Sequence, residues 1–467
     1  MLKKFLMPGL LALAALMSEP AAAQVFEPCA DATSFPVLAG SLCIESAVPL
    51  DAGGASTADK EMIALFVRKF PAANSDRRRG EIWLVAGGPG EPGASFLPVL
   101  PVLKRAFPDH DLIIPDHRGT GYSSKICPRE EAPESDAGIA LAGQEWGPCI
   151  GFMHANAART RAFTITNAAH DLSTLIARHR GTGEVYLYGV SYGTQLILRM
   201  MQAAPARVDG IILDGLVPPE ADQRWDLSRR TQVVDAVGRA TLTPEQTERY
   251  RTLLAQKEPG WSAAVPGGDL RRFMGHLLSF SDLRDQIPTI IDGLLRNDTA
   301  PLAQVTADLQ GRMEALGAYP QSPPSMPLIM LIGGSENNHR RDLTASIVTE
   351  EAKDALFTSA IPGLLVGSPA PLYDRDAFFG HVPARLPRTL VIHGTLDPNT
   401  PYEGAQLHAA ALAGAGGDVR FTTVTGAAHF LPLVAPDCFV KVVSRFMTAG
   451  AAPDRCEAKA VSVSVKP

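Results

Sequence analysis

The chain lacks the features that mark several common functional classes. Its 467 residues carry a formal net charge of −6 at pH 7 and form no strong basic patch, which argues against nucleic acid as a partner. The sequence contains no P-loop, no HExxH motif and no CxxC pair, so it predicts neither a metal nor an organic cofactor. Internal repeats and low-complexity linkers are also missing. Because hydrophobic residues make up 46% of the chain, a large buried core is expected.

Long apolar runs are scarce, and the one near the N-terminus has the layout of a secretory signal. Two lysines precede an apolar run over residues 5–17, and three alanines follow at positions 21–23. This layout predicts a signal peptide over residues 1–23, cleaved after Ala23. A membrane anchor is the alternative, but the run is short for a bilayer span and a proline interrupts it. The sequence therefore predicts a secreted or periplasmic protein that has no membrane partner after cleavage.

The number of cysteines is small but even. An even number in an exported chain favours disulfides over free thiols. The cysteines fall in three close pairs along the sequence, and we expect sequential pairing, although many other pairings are possible. The expected pairs are Cys29–Cys43, Cys127–Cys149 and Cys438–Cys456.

Strand patterns alternate with helix patterns over the first half of the chain. Apolar residues at helical spacing predict long helices over residues 164–180 and 194–204. Alternation of this kind predicts an α/β fold with a mostly parallel sheet flanked by helices. Strands are predicted at 41–50, 62–70, 82–86, 111–115, 185–190, 208–213, 389–393 and 419–424.

The alternation stops in the middle of the chain. Residues 218–385 are rich in helix pattern and broken by prolines, and strand patterns resume only after them. We therefore predict a core made of residues 24–217 and 386–467, with residues 218–385 inserted as a helical cap segment.

A short motif at residues 189–193, Gly-Val-Ser-Tyr-Gly, lies between a predicted strand and a predicted helix. A G-x-S-x-G motif in this context predicts a strained turn that exposes the Ser191 hydroxyl as a nucleophile. The first N–H of the following helix, that of Tyr192, would donate to an oxyanion. A tight turn without chemistry is the alternative. Together with the sheet pattern, the motif predicts an α/β-hydrolase fold.

A serine nucleophile needs a base, and eleven histidines compete for that role. In the α/β-hydrolase fold the triad follows the order Ser, then Asp or Glu, then His. His429 follows the last predicted strand and fits this order, whereas its rival His408 falls in a helix-like run. Asp397, just past the strand at 389–393, is the predicted acid that orients the imidazole. A turn former before a proline is the alternative interpretation of Asp397.

The second oxyanion donor should come from the loop after an early strand, here Gly-Gly-Pro-Gly at residues 87–90. We favour the N–H of Gly88, with that of Gly87 next, because the proline that follows cannot donate.

The same loop formally matches a dinucleotide-binding motif. Residues 88–93 fit G-x-G-x-x-G after a strand, and Asp116 stands where a ribose-binding acid would lie. A dinucleotide-binding oxidoreductase is therefore a remote alternative. The two prolines in the motif argue against it, because that loop binds phosphates through backbone N–H groups and a helix N-terminus.

Four short motifs, taken together in their order along the chain, point to a specific protein family. The chain resembles the prolyl and tripeptidyl aminopeptidase family of α/β-hydrolases, most closely its exported tripeptidyl type, over residues 41–218 and 386–438. The resemblance implies a serine peptidase that removes residues from a free peptide N-terminus through an acyl-enzyme. The motifs are Gly-Gly-Pro-Gly at 87–90, Arg-Gly-Thr-Gly-Tyr-Ser at 118–123, Gly-Val-Ser-Tyr-Gly-Thr at 189–194 and Asp-Pro-Asn-Thr-Pro at 397–401.

The resemblance also implies that acidic residues of the cap segment bind the α-ammonium of the substrate. Glu336 and Glu220 are the candidates, and for both a solvated surface carboxylate is the alternative. Relatives of the prolyl type carry His where Ala86 stands here, which leaves a strict proline preference open. An esterase or lipase with the same triad is the nearest alternative function. A catalytically inactive hydrolase that acts as a binding module is another.

Overall fold

The structure of the protein is a computed structural model that describes residues 25–53, 61–257, 259–449 and 452–458. The predicted signal peptide at residues 1–23 lies outside these ranges. None of the helices in them is long and apolar enough to cross a membrane.

A ten-stranded sheet runs through the described part of the chain. Its spatial order is β1-β2-β3-β5-β4-β6-β7-β8-β9-β10. Every neighbouring pair from β5 to β10 is parallel, while β1, β2 and β3 form antiparallel pairs at one edge and β3 is also antiparallel to β5. The strands are β1 Glu27–Pro28, β2 Leu42–Pro49, β3 Met62–Phe70, β4 Gly80–Val85, β5 His110–Pro115, β6 Glu184–Val190, β7 Gly210–Asp214, β8 Thr389–Gly394, β9 Val419–Thr425 and β10 Arg455–Glu457.

Helices flank this sheet and fill the segment between β7 and β8. The predicted class, a mostly parallel sheet flanked by helices, is confirmed. The helices are α1 Leu100–Ala106, α2 Trp146–Ala155, α3 Ala157–Arg161, α4 Ile165–His179, α5 Tyr192–Ala203, α6 Arg230–Ala240, α7 Pro244–Leu254, α8 Leu270–Leu277, α9 Ser281–Arg284, α10 Ile287–Leu295, α11 Ala300–Leu316, α12 Met326–Ser335, α13 Ala345–Ala352, α14 Ile361–Leu365, α15 Tyr402–Gly414, α16 Leu431–Val434 and α17 Pro436–Ala449.

The two faces of the sheet bury separate apolar clusters. Along β4, Trp83 and Val85 belong to the cluster that contains α4 and α5, while Ile82 and Leu84 belong to the cluster that contains α1 and α17. This division follows from the alternation of side chains along a strand. Because both faces of β4 are covered, its residues are apolar without a break from Ile82 onward, as is usual for central parallel strands.

The cap segment has an apolar cluster of its own. Tyr250, Leu277 and Ile291 are almost completely buried in a cluster made of residues from the helices between β7 and β8. The chain then returns to the sheet, where Thr389 of β8 pairs with Ile211 of β7. The insertion therefore leaves and re-enters the sheet between two adjacent strands. The exact domain boundaries at 217/218 and 385/386 stay a prediction.

Three disulfides join cysteines that are neighbours along the sequence. They are Cys29–Cys43, Cys127–Cys149 and Cys438–Cys456, with sequence separations of 14, 22 and 18 residues. The expected sequential pairing is confirmed, and the alternative of free thiols is wrong. Bridges over loops of this length stabilise a fold by about 3 kcal/mol each.

Candidate active site

Ser191 lies on the turn between β6 and α5. Its backbone has φ 55° and ψ −124°, and a positive φ costs a residue other than glycine about 1–3 kcal/mol. Only glycine fits on either side, since a Cβ at Gly193 would stand 2.2 Å from the carbonyl oxygen of Val85 and one at Gly189 would stand 2.7 Å from that of Gly193. The N–H of Ser191 donates to the carbonyl of Asp214 in β7 at 3.0 Å. Neighbouring strands thus hold the strained turn in place.

Backbone N–H groups from two elements surround this turn. Tyr192 is the first residue of α5, so its N–H has no partner within the helix. Gly87 follows β4 and lies next to the turn, since a Cβ at Gly87 would stand 3.1 Å from the Cβ of Ser191. Gly88 has φ +109°, a conformation that favours glycine. Within the described residues, the N–H groups of Tyr192, Gly87 and Gly88 donate to no protein acceptor, which leaves all three predicted donors available to a ligand.

His429 and Asp397 are in direct contact. Nδ1 of His429 lies 2.7 Å from Oδ2 of Asp397, although 32 residues separate them. The N–H groups of Asn399 and Thr400 each donate to the other oxygen, Oδ1, at 2.8 Å, and the Thr400 hydroxyl donates to Oδ2 at 2.7 Å. These bonds fix the carboxylate against the imidazole. A Cβ at Gly215 would stand 2.7 Å from Cε1 of His429, so the glycine after β7 makes room for the ring.

The contact shifts both ionisations in the direction that general-base chemistry needs. Burial alone would raise the pKa of Asp397, but His429, His393 and the N–H of Thr400 hold it well below its usual range. Burial alone would lower the pKa of His429, but the Asp397 carboxylate more than offsets this and raises it. The carboxylate therefore stays ionised and favours a positive imidazole.

The competing histidines serve the structure instead. His393 is completely buried and bonds the carbonyl of Thr400 through Nε2 at 2.8 Å, and burial lowers its pKa. His408 bonds the carbonyl of Val217 through Nδ1 at 2.7 Å. Neither ring lines the cavity that Ser191 and His429 share. The choice of His429 over these rivals therefore agrees with where the structure places them.

His117 and Asp116, at the end of β5, hold the loop after β4. Nε2 of His117 bonds the carbonyl of Pro89 at 2.8 Å, and burial lowers the pKa of this histidine to about 4, so the ring is neutral near pH 7. Asp116 accepts the N–H of Gly93 at 2.7 Å and that of Tyr122 at 2.9 Å. Both its oxygens are thus occupied by backbone groups. Because Asp116 is also only 2% exposed, a ribose could not reach the carboxylate, which argues against the dinucleotide alternative.

A cavity of about 520 Å³ opens above the Ser191 turn. Core residues form one wall, and residues of the cap segment form the other. The lining is largely apolar on the cap side and includes Trp225, Leu227, Met326, Ile329, Met330, Ile361, Leu364 and Leu365. The predicted residues that line it are Gly87, Gly88, Ser191, Tyr192, Glu220, Glu336 and His429.

The two candidate acids of the cap segment meet at one arginine. Arg199 of α5 holds Glu220 through two contacts of 3.1 Å and lies 3.6 Å from Oε2 of Glu336. Glu336 is only 2% exposed, and burial, which Arg199 only partly offsets, raises its pKa to about 7. The side chain of Glu220 is about 10% exposed. The alternative of a solvated surface carboxylate is therefore wrong for both residues.

Asp214 is a buried acid that the sequence analysis missed. It ends β7, and its Oδ2 accepts the Tyr188 hydroxyl at 2.7 Å and the N–H of Leu431 at 3.0 Å. Leu431 follows His429 by two residues, so this carboxylate anchors the loop that carries the imidazole. Burial raises the pKa of Asp214 to about 7. An acid at the end of a strand was the only available signal, and it was the same signal that marked Asp397.

The fold and this arrangement define an α/β-hydrolase. The family model described as alpha/beta hydrolase fold matches residues 82–436, and the chain belongs to this family. It is a serine hydrolase of that fold.

Individual relatives are distant. The chain is 24% identical over 498 residues to serine protease Hip1 of Mycobacterium tuberculosis and of Mycobacterium bovis, a match that covers 94% of this chain and 92% of the relative. Among solved structures, it is similar to proline iminopeptidase of Mycobacterium smegmatis, with 16% identity, a TM-score of 0.41, and coverage of 87% of this chain and 98% of that one. It is also similar to an esterase of Thermogutta terrifontis, with 16% identity, a TM-score of 0.39 and the same coverage.

Proposed function

We propose that this protein is an exported serine peptidase that removes residues from the free N-terminus of a peptide through an acyl-enzyme. One observation carries the proposal. The Ser191 turn and the acidic pair Glu336 and Glu220 line the same cavity, so one bound substrate can contact both.

The core side of the cavity supplies acyl-transfer chemistry. His429, oriented by Asp397, takes the Ser191 proton as the hydroxyl attacks the carbonyl carbon. The N–H groups of Tyr192 and Gly88 then hold the oxyanion, aided by the positive end of α5. His429 returns the proton to the leaving amine. Water, activated by the same imidazole, releases the acyl group.

The cap side supplies a site for positive charge. Glu220 and Glu336 bring two carboxylates to the cavity, and the buried guanidinium of Arg199 pairs with both. Oε2 of Glu336 accepts no hydrogen bond from the described residues. Glu336 lines the cavity, and a substrate ammonium bound beside it would favour the ionised form of its carboxyl group. This gives the proposed selectivity for a free N-terminus a physical cause.

Two further observations support the peptidase activity and the export. The distant relative that covers nearly the whole chain is a serine protease by name. The three disulfides are typical of proteins that mature in an oxidising compartment, which agrees with the signal peptide predicted at residues 1–23. The site residues named above, including the choice of Gly88 over Gly87, are part of this proposal.

The proposal is tested with chromogenic substrates and the mature chain. Amino-acyl, prolyl and tripeptidyl p-nitroanilides should be cleaved, and N-acetylation should lower kcat/KM by about 10-fold or more because the ammonium contact is lost. Ser191→Ala should lower kcat by at least about 1,000-fold. Ser262→Ala, an exposed serine outside the cavity lining, is the matched control and should match the parent. Equal cleavage of blocked and free amides would remove the free N-terminus from the proposal, and cleavage of short acyl esters alone would make the protein an esterase.

A further inference from the structure

The carboxylate of Glu91 lines the cavity on the core side. Glu91 lies on the loop between β4 and α1, just after the Gly-Gly-Pro-Gly motif. A Cβ at Gly87 would stand 3.1 Å from the Cβ of Ser191 and 3.7 Å from Oε2 of Glu91. The Glu91 carboxylate and the Ser191 side chain therefore both lie close to Gly87. Glu91 is not one of the residues assigned above to the triad, the oxyanion donors or the cap acids.

This carboxylate differs from the two in the cap segment because no arginine among the described residues pairs with it. No lysine in the described ranges forms an ion pair with it either, and the nearby charged group is the imidazole of His429. Glu220 and Glu336, by contrast, share Arg199. Burial raises the pKa of Glu91, and the nearby His429 lowers it. Glu91 is nonetheless exposed and lines the cavity, so its carboxylate oxygens are free to accept hydrogen bonds from a bound ligand.

The loop that carries Glu91 is firmly held. The carbonyl of Pro89 bonds His117, and the carbonyl of Gly90 accepts the N–H of Ser325 at 2.9 Å. On the other side, the N–H of Gly93 donates to Asp116. Anchors on both sides keep the backbone at Glu91 in a fixed position, so the carboxylate needs little reorganisation to meet a bound group.

We propose that Glu91 is a specificity-determining residue that binds a cationic group of the substrate, an ammonium or a guanidinium, next to the bond that Ser191 attacks. The proposal deepens the proposed function and rests on it for the nature of the substrate. The cation has two sources in a peptide, namely the α-ammonium of a residue beside the scissile bond or the side chain of a lysine or arginine. In either case the substrate supplies a permanent positive charge beside Glu91, where the described residues place the titratable imidazole of His429.

The test compares Glu91→Gln with the parent on two matched pairs of substrates. The first pair, leucine p-nitroanilide and its N-acetyl derivative, differs in the α-ammonium. The second pair, the p-nitroanilides of N-acetyl-lysine and N-acetyl-norleucine, differs in the side-chain cation. In at least one pair, Glu91→Gln should lower kcat/KM for the cationic member by about 10-fold and leave the neutral member within about 2-fold. Which pair responds identifies the source of the cation.

A binding measurement keeps this test separate from amide cleavage. Butylamine should compete with p-nitrophenyl acetate in the parent, and its inhibition constant should rise by about 10-fold in Glu91→Gln. The neutral isostere 1-butanol should inhibit both forms equally. If the parent cleaves no amide but Glu91→Gln weakens butylamine alone, the proposed peptidase fails while the cation site stands.

Glu134→Gln is the control, because it removes one negative charge from an exposed position outside the cavity lining. It should leave both amide pairs and the butylamine inhibition constant unchanged. Equal losses on cationic and neutral compounds in Glu91→Gln would show that Glu91 acts on His429 rather than on a substrate cation. That result, or no change at all, would overturn the proposal.

Discussion

At the scale of single residues, the candidate site depends on positions that must be glycine as much as on its polar side chains. Gly189 and Gly193 let β6 turn into α5 beside the carbonyl of Val85. Gly215 leaves room for the imidazole of His429, and its φ of +60° also favours glycine. Chemistry at Ser191 therefore requires space that a single methyl group would fill.

Gly215→Ala tests this requirement directly. A Cβ there would stand 2.7 Å from Cε1 and 2.9 Å from Nδ1 of His429, so the ring must turn away from Asp397 or from the nucleophile. We expect kcat/KM to fall by about 100-fold, because misplacement of a catalytic group by about 1 Å costs that much. Far-ultraviolet circular dichroism should stay unchanged. Gly311→Ala, where a Cβ meets open space on the cap segment, is the control, and parental activity in Gly215→Ala would contradict the prediction.

Acidic residues outside the triad were the hardest functional candidates to predict from the sequence. The contact between Asp397 and His429 could be predicted because chain order and strand ends fix the triad of this fold. Asp214 and Glu91 obey no such order. Their importance comes from their positions near His429, which depend on packing between segments far apart in the sequence. Only the folded geometry reveals that these carboxylates lie near the imidazole.

At the scale of elements, the pattern of apolar residues located most of the sheet. The strand at Met62–Phe70 has its predicted bounds, and the other predicted strands differ by one or two residues at an end. The short edge strands Glu27–Pro28 and Arg455–Glu457 were missed, because two or three residues carry no alternation. The cap segment was predicted as helical but not helix by helix, since prolines begin several of its helices and interrupt the periodicity.

The edge strand β10 provides an element-scale prediction. The Cys438–Cys456 bridge joins it to α17, whose Phe439 and Val442 are completely buried in the core. The double variant Cys438→Ser/Cys456→Ser should lose about 3 kcal/mol of stability. It should keep its activity at 25 °C, because β8, β9 and α17 retain their apolar contacts. Differential scanning fluorimetry and p-nitroanilide assays measure the two effects.

Cys29→Ser/Cys43→Ser is the control for this bridge, since it opens a loop of similar length on β2, at the far edge of the sheet. Both double variants should lose Tm by similar amounts. Loss of activity in the first variant without a lower Tm would mean that β10 positions the His429 loop, contrary to expectation.

At the scale of the whole molecule, a buried acid of the cavity makes the stability of the protein depend on pH. Glu336 has an ordinary pKa of 4.5 that rises to about 7 in the folded protein. A raised pKa means that the folded state binds the proton more tightly than the unfolded state. The contribution of Glu336 to stability is therefore fully present below about pH 4.5 and is lost as the pH rises through about 7. Near neutral pH, the ionised form of Glu336 destabilises the folded protein, and this is the form that the proposed ammonium site requires.

Glu336→Gln should raise the stability of the protein near neutral pH and weaken its binding of free-amine substrates. Its Tm relative to the parent should increase between pH 5 and pH 8, by about 2 °C or more, because glutamine carries no charge to bury. At the same time KM for free-amine substrates should rise by about 10-fold, while N-acetylated substrates are unaffected. Glu134→Gln, an exposed acid, should show a Tm difference that does not vary with pH. A constant Tm difference in Glu336→Gln as well would contradict the raised pKa.

The nearest-neighbour order of the three disulfides has a consequence for biogenesis. Each cysteine bonds the next one along the chain, and no bridge encloses another. A chain that enters an oxidising compartment N-terminus first exposes each partner before the following pair arrives. Oxidation in the order of translocation therefore gives the native set directly. In the export that we propose, maturation of this hydrolase would need a thiol oxidant but no enzyme that rearranges mispaired bridges.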